Sequence, residues 1–373
     1  MKSKYTTIAA AAFMLAGMSS CTYKEAIHPD KMDVRISFNS PVASMPWAKA
    51  VTDKEIGAEY DKNESFAVWA VMDNGGTRSY YMGNASSGVK CSYRATEPEG
   101  WYPDDEWYWP VASTLDFRAL SPADAGGTPT FGLDGKFILK DFQVPVAGSQ
   151  YDLMVSDLSK GWLGVDFGAV DNDDNSIYKY KGVDLLFRHA LCQVEFRGRL
   201  ASGETSSEVF VTEVKLLGLD DIGTLAFQDD EMIDDRNRIV WSDAKSSSVT
   251  AKVEYGVFKN DSGTQLEYNS DGSSTSLKDH TLMLLPQVLS RGTAETDKVR
   301  VSIKYTKGGT AETEVRTLGG LLGTEGGVGV PVAVNNWLPG RKYVYTFVIG
   351  EDQMFFDPTV IDFKDWAGNI EVE

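Results

Sequence analysis

The sequence predicts an all-β fold made of antiparallel β-sandwiches and divided into two domains. Three observations carry that expectation. Short stretches alternate apolar and polar residues with a period of two, as in Met32, Val34, Ile36 and Phe38, in Val249, Ala251, Val253, Tyr255 and Val257, in Val299, Val301, Ile303 and Tyr305, and in Tyr343, Tyr345, Phe347 and Ile349. Turn-forming clusters separate such stretches, among them Asp73-Asn74-Gly75-Gly76, Pro122–Pro129 and Asp171–Ser176. No window of helical length beyond the first 20 residues carries an apolar stripe at i, i+3, i+4 and i+7. At 373 residues the chain exceeds what one ordinary core holds, which gives two domains.

Residues 1–20 read as a signal peptide. Lys2 and Lys4 form its charged end, Ile8–Gly17 its short apolar run, and Met18-Ser19-Ser20 the residues before cleavage. That run is too short to span a bilayer. Gly17-Met18-Ser19-Ser20-Cys21 resembles a relaxed lipobox, so Cys21 is the expected lipidation site. Acyl chains there would anchor the protein without a membrane span, and residues 21–31 would be the tether. Loss of Lys2 and Lys4 with the leader takes the formal charge from −18 to −20. So acidic a surface repels nucleic acid and anionic lipid.

The first strand, Met32–Asn39, has one apolar face and one wet face. Pro41 and Pro46 interrupt it, and Lys49-Ala50 follows as a basic bond open to cleavage. Phe66–Met72 is nearly all apolar, the signature of a strand buried on both faces. Val89, Cys91 and Tyr93 alternate, as do Leu115, Phe117 and Ala119; Lys136–Phe142 and Tyr151–Val155 are further short strands. A disulfide between Cys91 and Cys192 suits an exported protein. The other reading is two separate buried thiols, since each cysteine sits in its own apolar pattern.

The polar stretch Asp171–Lys181 is the expected domain boundary, with one domain over 32–180 and the second over 181–373. Beyond it Val183, Leu185 and Phe187 share one phase, whereas Ala190, Cys192, Val194 and Phe196 share the other. Apolar side chains change faces only at a bulge or break, which falls at His189–Leu191.

These residues resemble the fimbrillin family of Bacteroidales bacteria, lipoprotein-derived pilins and related surface adhesins. The resemblance is carried in order by Ile36-Ser37-Phe38, Phe66-Ala67-Val68-Trp69-Ala70, Trp109-Pro110, Leu115-Asp116-Phe117, Ala119-Leu120-Ser121-Pro122, Asp152-Leu153-Met154-Val155-Ser156, Leu186–Val194, Leu285-Pro286-Gln287, Trp337-Leu338-Pro339-Gly340 and Tyr343-Val344-Tyr345. It implies two transthyretin-like sandwiches in tandem. It also implies export to the outer membrane, removal of the N-terminal segment by a protease, and a groove that accepts a strand from the next subunit. Val34, Ile36 and Phe38 then belong to the displaced strand. Val360, Ile361, Phe363, Ile370 and Val372 are candidate donor residues, with Pro358 confining that stretch to a sheet edge or strand start. Related pilins often carry Thr-Arg-Ala at the cleavage region, where this chain offers Lys49 and Ala50; Arg35 lies inside the strand and is protected by pairing. The implied partners are other fimbrial subunits, the outer membrane before processing, and a host surface or glycan. The implied place is the cell surface.

Nothing in the sequence points to catalysis or to a cofactor. His28, His189 and His280 are its three histidines, and His189 reads as a packed or hydrogen-bonded residue at the break. Neither a nucleophile elbow, nor a zinc-protease helix motif, nor a phosphate-binding loop is present. Gly319–Gly340 reads as a long surface loop and Asp229–Asp235 as a solvated acidic loop. Asp171-Asn172-Asp173-Asp174-Asn175 opens like a calcium loop, but Ser176 and Gly182 stand where the turn glycine and the bidentate glutamate belong. Trp101, Trp107 and Trp109, with Tyr102 and Tyr108, are either core or a platform for sugar rings. The rival to a fimbrial subunit is therefore a permanently anchored lipoprotein that binds host or dietary glycan.

Overall fold

The computed structural model describes residues 31–39, 42–44, 62–96, 99–164, 182–203, 208–230, 232–233, 237–248, 252–280, 282–325, 332–351 and 353–362. Twenty-six strands run through them, and Glu295–Asp297 forms a short helical turn. The fold is all-β, as the alternation predicts.

The largest sheet holds, in spatial order, Val42–Ser44, Leu186–His189, Met154–Ser156, Thr114–Ser121, Ser65–Asn74, Val89–Arg94 and Gly100–Pro103. A second sheet holds Ile239–Lys245, Ile222–Phe227, Phe137–Gln143 and Thr128–Phe131. A third is built on Cys192–Leu200, Arg341–Ile349 and Met354–Asp362, and a fourth on Val253–Gln265, Val209–Leu219, Arg300–Lys307 and Thr310–Thr317. Most pairs are antiparallel. Cys192–Leu200 runs parallel to Arg341–Ile349 over eight register pairs, however, and Val42–Ser44 runs parallel to Leu186–Arg188.

Ser65–Asn74 shows why two cores form. Phe66, Val68 and Ala70 face one apolar cluster, with Phe117, Trp101 and Phe187; Ala67, Trp69 and Val71 face another, with Phe137, Val194 and Tyr345. Successive side chains on a strand point to opposite faces, so a continuous apolar run wets neither. Thr114–Ser121 does the same only in part. Its Leu115, Phe117 and Ala119 enter the first cluster, while Arg118 points the other way, fully buried.

Strand pairing does not divide the chain at residue 180. Val183, Leu185 and Phe187 pack in the first cluster, and Leu186–His189 pairs with Met154–Ser156. The chain leaves that sheet at His189 and enters the third sheet at Cys192. The face switch at His189–Leu191 is thus also the passage between the two cores. Further, Phe137–Gln143 pairs with Ile222–Phe227, joining strands from either side of the expected boundary in one sheet. The alternation placed the break but could not say which core each half joins.

Two loop readings need correction. Gly319–Gly340 contains the paired strands Leu321–Glu325 and Val332–Val334, the first of which also runs beside Met354–Asp362. Asp229 is not simply solvated: it forms an ion pair with the buried Arg118 guanidinium, which also donates to the Ser156 and Gly135 carbonyls. Asp171–Asn175 lies outside the described residues.

A candidate strand-binding slot

Residues 31–39 lie between two walls. On one side Lys31–Arg35 pairs antiparallel with Tyr108–Pro110, the Ile36 N–H donates to the Trp107 carbonyl at 2.8 Å, and the Phe38 N–H donates to the Trp101 carbonyl at 2.9 Å. On the other, the Asn39 N–H donates to the Val183 carbonyl at 3.0 Å and the Val183 N–H donates to the Ser37 carbonyl at 2.8 Å. Val42–Ser44 continues this second contact along Leu186–Arg188. Only near Ser37–Asn39 does the segment bond both walls at once.

The alternation decides which side chains enter. Ile36 and Phe38 are each 1% exposed and Val34 is half-buried, whereas Arg35 on the other face is exposed. Phe38 meets Phe66 and Phe117 edge to face, with centroids 5.9 and 5.6 Å away. Trp101 lies 5.4 Å from Phe66, and Trp109 lies 5.8 Å from Phe117. Full burial of such a side chain contributes about 1.5–3 kcal/mol, so Ile36 and Phe38 together hold the strand by roughly 3–6 kcal/mol. The polar face adds an ion pair between Arg35 and Glu106 and a hydrogen bond from Asn39 Nδ2 to Asp184 Oδ1. At exposed positions such pairs are worth little.

The aromatic cluster is the wall of this slot. Trp101 and Trp109 are buried, Trp107 is half-buried against Tyr81, and the carbonyls of Trp101 and Trp107 carry the strand. Trp101 and Trp109 therefore offer no face to a sugar ring, which corrects the glycan platform. Cys91 and Cys192 are free thiols, buried in different clusters, which corrects the disulfide. Burial raises both thiols above their ordinary range, and Asp104 adds to the shift at Cys91. His189 Nδ1 faces Asp152 Oδ2, a packed and hydrogen-bonded histidine at the break.

The sequence brings Val34, Ile36 and Phe38 together as expected. Val360 and Ile361 are placed differently: they belong to Met354–Asp362, opposite Tyr343 and Lys342 of Arg341–Ile349, and Val360 is buried. Their backbone groups are committed to the chain's own sheet. Pro358 tolerates this because the neighbour Leu321–Glu325 pairs from Thr359 onward. Cys21, Lys49, Ala50, Phe363, Ile370 and Val372 lie outside the described residues. Among the described residues no three histidine, cysteine or carboxylate side chains converge as metal ligands would.

A family model described as fimbrillin-like matches residues 49–366, most of the chain. The protein belongs to the fimbrillin-like family. The chain of this fimbrillin-like protein has the same fold as a fimbrial protein from Bacteroides vulgatus, at 13% identity and a TM-score of 0.53, with 88% of this chain and 99% of that one covered. A Bacteroides uniformis protein aligns at 15% identity and a TM-score of 0.48, covering 88% and 97%. The tip fimbrial protein Mfa3 from Porphyromonas gingivalis aligns at 8% identity and a TM-score of 0.39, covering 88% and 100%. No curated protein sequence matches. Gly182 is the slot residue that sequence reading passed over as a functional one; its signal was a glycine directly before an apolar strand.

Proposed function

We propose that this fimbrillin-like protein is a structural subunit, stalk or tip, of a cell-surface fimbria that mediates adhesion or biofilm formation. It is exported as a lipoprotein anchored at Cys21 and cut at Lys49-Ala50. The cut frees residues 31–44, and a strand from another subunit takes their place. The observation that supports this most is the slot itself. A strand near the start of the chain supplies Ile36 and Phe38 to a core whose other members come from far along it. Its removal would uncover Phe66, Phe117 and Trp101 and leave the carbonyls of Trp101, Trp107 and Val183 unpaired. Exposed apolar surface beside unpaired backbone is what strand addition satisfies.

The donor segment is narrowed to residues after Asp362, with Phe363, Ile370 and Val372 as its apolar positions. Val360 and Ile361 already serve the chain's own sheet. The partners on this reading are other fimbrial subunits and, before processing, the outer membrane. The competing glycan lipoprotein loses support because Trp101 and Trp109 are buried.

The test is the mature N-terminus, read by mass spectrometry on protein from the surface of the native bacterium. A chain starting at Ala50 supports strand exchange. A chain starting at acylated Cys21 keeps strand 31–39 in place and defeats the exchange mechanism.

A further inference from the structure

We propose that Gly182 is the residue that admits a strand to the slot, and that it acts on the backbone of that strand rather than on its side chains. Gly182 directly precedes Val183, whose N–H and C=O both bond the strand. A Cβ built on Gly182 would lie 2.6 Å from the Phe38 carbonyl carbon, 2.8 Å from the Asn39 nitrogen and 2.8 Å from the Phe38 Cα. All three are main-chain atoms. Every residue type carries them, so no change of side chain in the incoming strand relieves the clash.

Gly83, Gly127, Gly218 and Gly323 are crowded by main-chain atoms too, though none of those atoms belongs to residues 31–39, and Gly135 and Gly263 differ in kind. A Cβ on Gly135 would meet the Leu158 side chain, and one on Gly263 would meet Phe210 side-chain carbons. Side chains turn aside; a backbone held by hydrogen bonds on both sides does not. Gly182 therefore lets the second wall approach the strand closely enough for the Val183 bonds to form.

Two consequences define the partner. The slot takes a β-strand with apolar residues at the positions of Ile36 and Phe38, a third at that of half-buried Val34, and a backbone free to bond Trp101, Trp107 and Val183. One methyl group at residue 182 excludes all such strands, the chain's own included. The inference rests on the reading of the slot as a strand-binding site. It does not depend on filament formation.

The test is amide hydrogen exchange on the full chain, comparing wild type, Gly182→Ala and Gly182→Val. Gly203→Ala is the control, since its φ of +94° is also positive, as is the +158° of Gly182, while a Cβ there meets nothing within 4 Å. The expected result is exchange at Ile36, Phe38, Asn39 and Val183 faster by at least roughly tenfold in both Gly182 variants, through local opening. Val68 and Ala119, in the strands beneath the slot, keep wild-type protection, and trypsin gains access to Arg35. Unchanged protection at Ile36, Phe38 and Asn39 overturns the proposal. So does equal loss at Val68 and Ala119, which would make Gly182 a residue of the fold at large. Neither readout involves assembly, so a mature chain starting at Cys21 would defeat strand exchange while leaving this result intact.

Discussion

The rings of Phe38 and Phe117 meet edge to face, with centroids 5.6 Å apart and planes at 86°. One ring belongs to the segment that the proposed processing would remove, the other to a strand at the centre of the largest sheet. The contact makes the first strand part of the core rather than a decoration on it. Phe38→Ala should therefore cost about 3–5 kcal/mol, the usual range for a buried phenylalanine. Arg35→Ala, on the exposed face, where its ion pair with Glu106 is worth little, should cost no more than about 1 kcal/mol. Urea unfolding of the two variants measures this. Equal, small effects would mean that the strand is not held by its apolar face.

Trp109→Ala should lower stability by about 3–5 kcal/mol, because the side chain is fully buried against Phe117. Trp107→Ala should cost less, since Trp107 is half-buried. Thermal unfolding combined with a glycan array separates wall from platform. A Trp109 variant that melts like wild type but loses glycan signal would restore the sugar-binding reading.

Arg118 and Asp229 form an ion pair, with Arg118 fully buried and its guanidinium 4.4 Å over the Phe227 ring. Asp229→Ala should destabilise the protein by about 3–5 kcal/mol, because it strands a buried charge. The double variant Arg118→Met with Asp229→Ala should recover most of that loss. A double-mutant cycle in urea tests it, and additive losses would show that the pair is uncoupled.

Glu195 is buried beside Lys342 and Arg197, each at 2.6 Å. Burial pushes its carboxyl up, but hydrogen bonds and charge from Lys342 and Arg197 outweigh burial and hold it below the ordinary range. A depressed carboxylate stabilises the fold above its unfolded value of about 4.3 and loses that contribution as pH falls through the folded value. The stability gap between wild type and Glu195→Gln should be constant from neutral pH to about pH 5, then shrink below about pH 4.3. Urea midpoints across that range measure it; a flat gap down to pH 3 would contradict the pairing.

Cys91 and Cys192 should resist alkylation in the native protein and both react in urea, with no change in melting temperature on adding reductant. Cys91 shares its cluster with Phe38, whereas Cys192 does not. Removal of residues 31–44 should therefore make Cys91 reactive before Cys192. Peptide mass mapping reads both sites. Recovery of a linked Cys91–Cys192 peptide would overturn the free-thiol assignment.

Much of the fold was legible because strand periodicity is local. Phe66–Met72 declared itself buried on both faces, and Val34, Ile36 and Phe38 declared their common side, since alternation needs only near neighbours. The phase change at His189–Leu191 was equally visible. The candidate slot was half legible: its strand showed, its walls did not. Trp101, Trp107 and Trp109 are apolar and dense whether they stack on sugar or on Phe66 and Phe117, so composition alone could not choose.

The sequence by itself determined the all-β class, the phase of the first strand and the place where the chain changes faces. Each follows from side chains within a few residues of one another. Tertiary structure alone decided that residues 183–189 complete the first core, that Arg118 meets Asp229 across 111 residues, and that Gly182 lies against the backbone of Phe38. Strand pairing joins distant segments by which edges and apolar faces fit, and that fit is a property of two surfaces that no local pattern encodes.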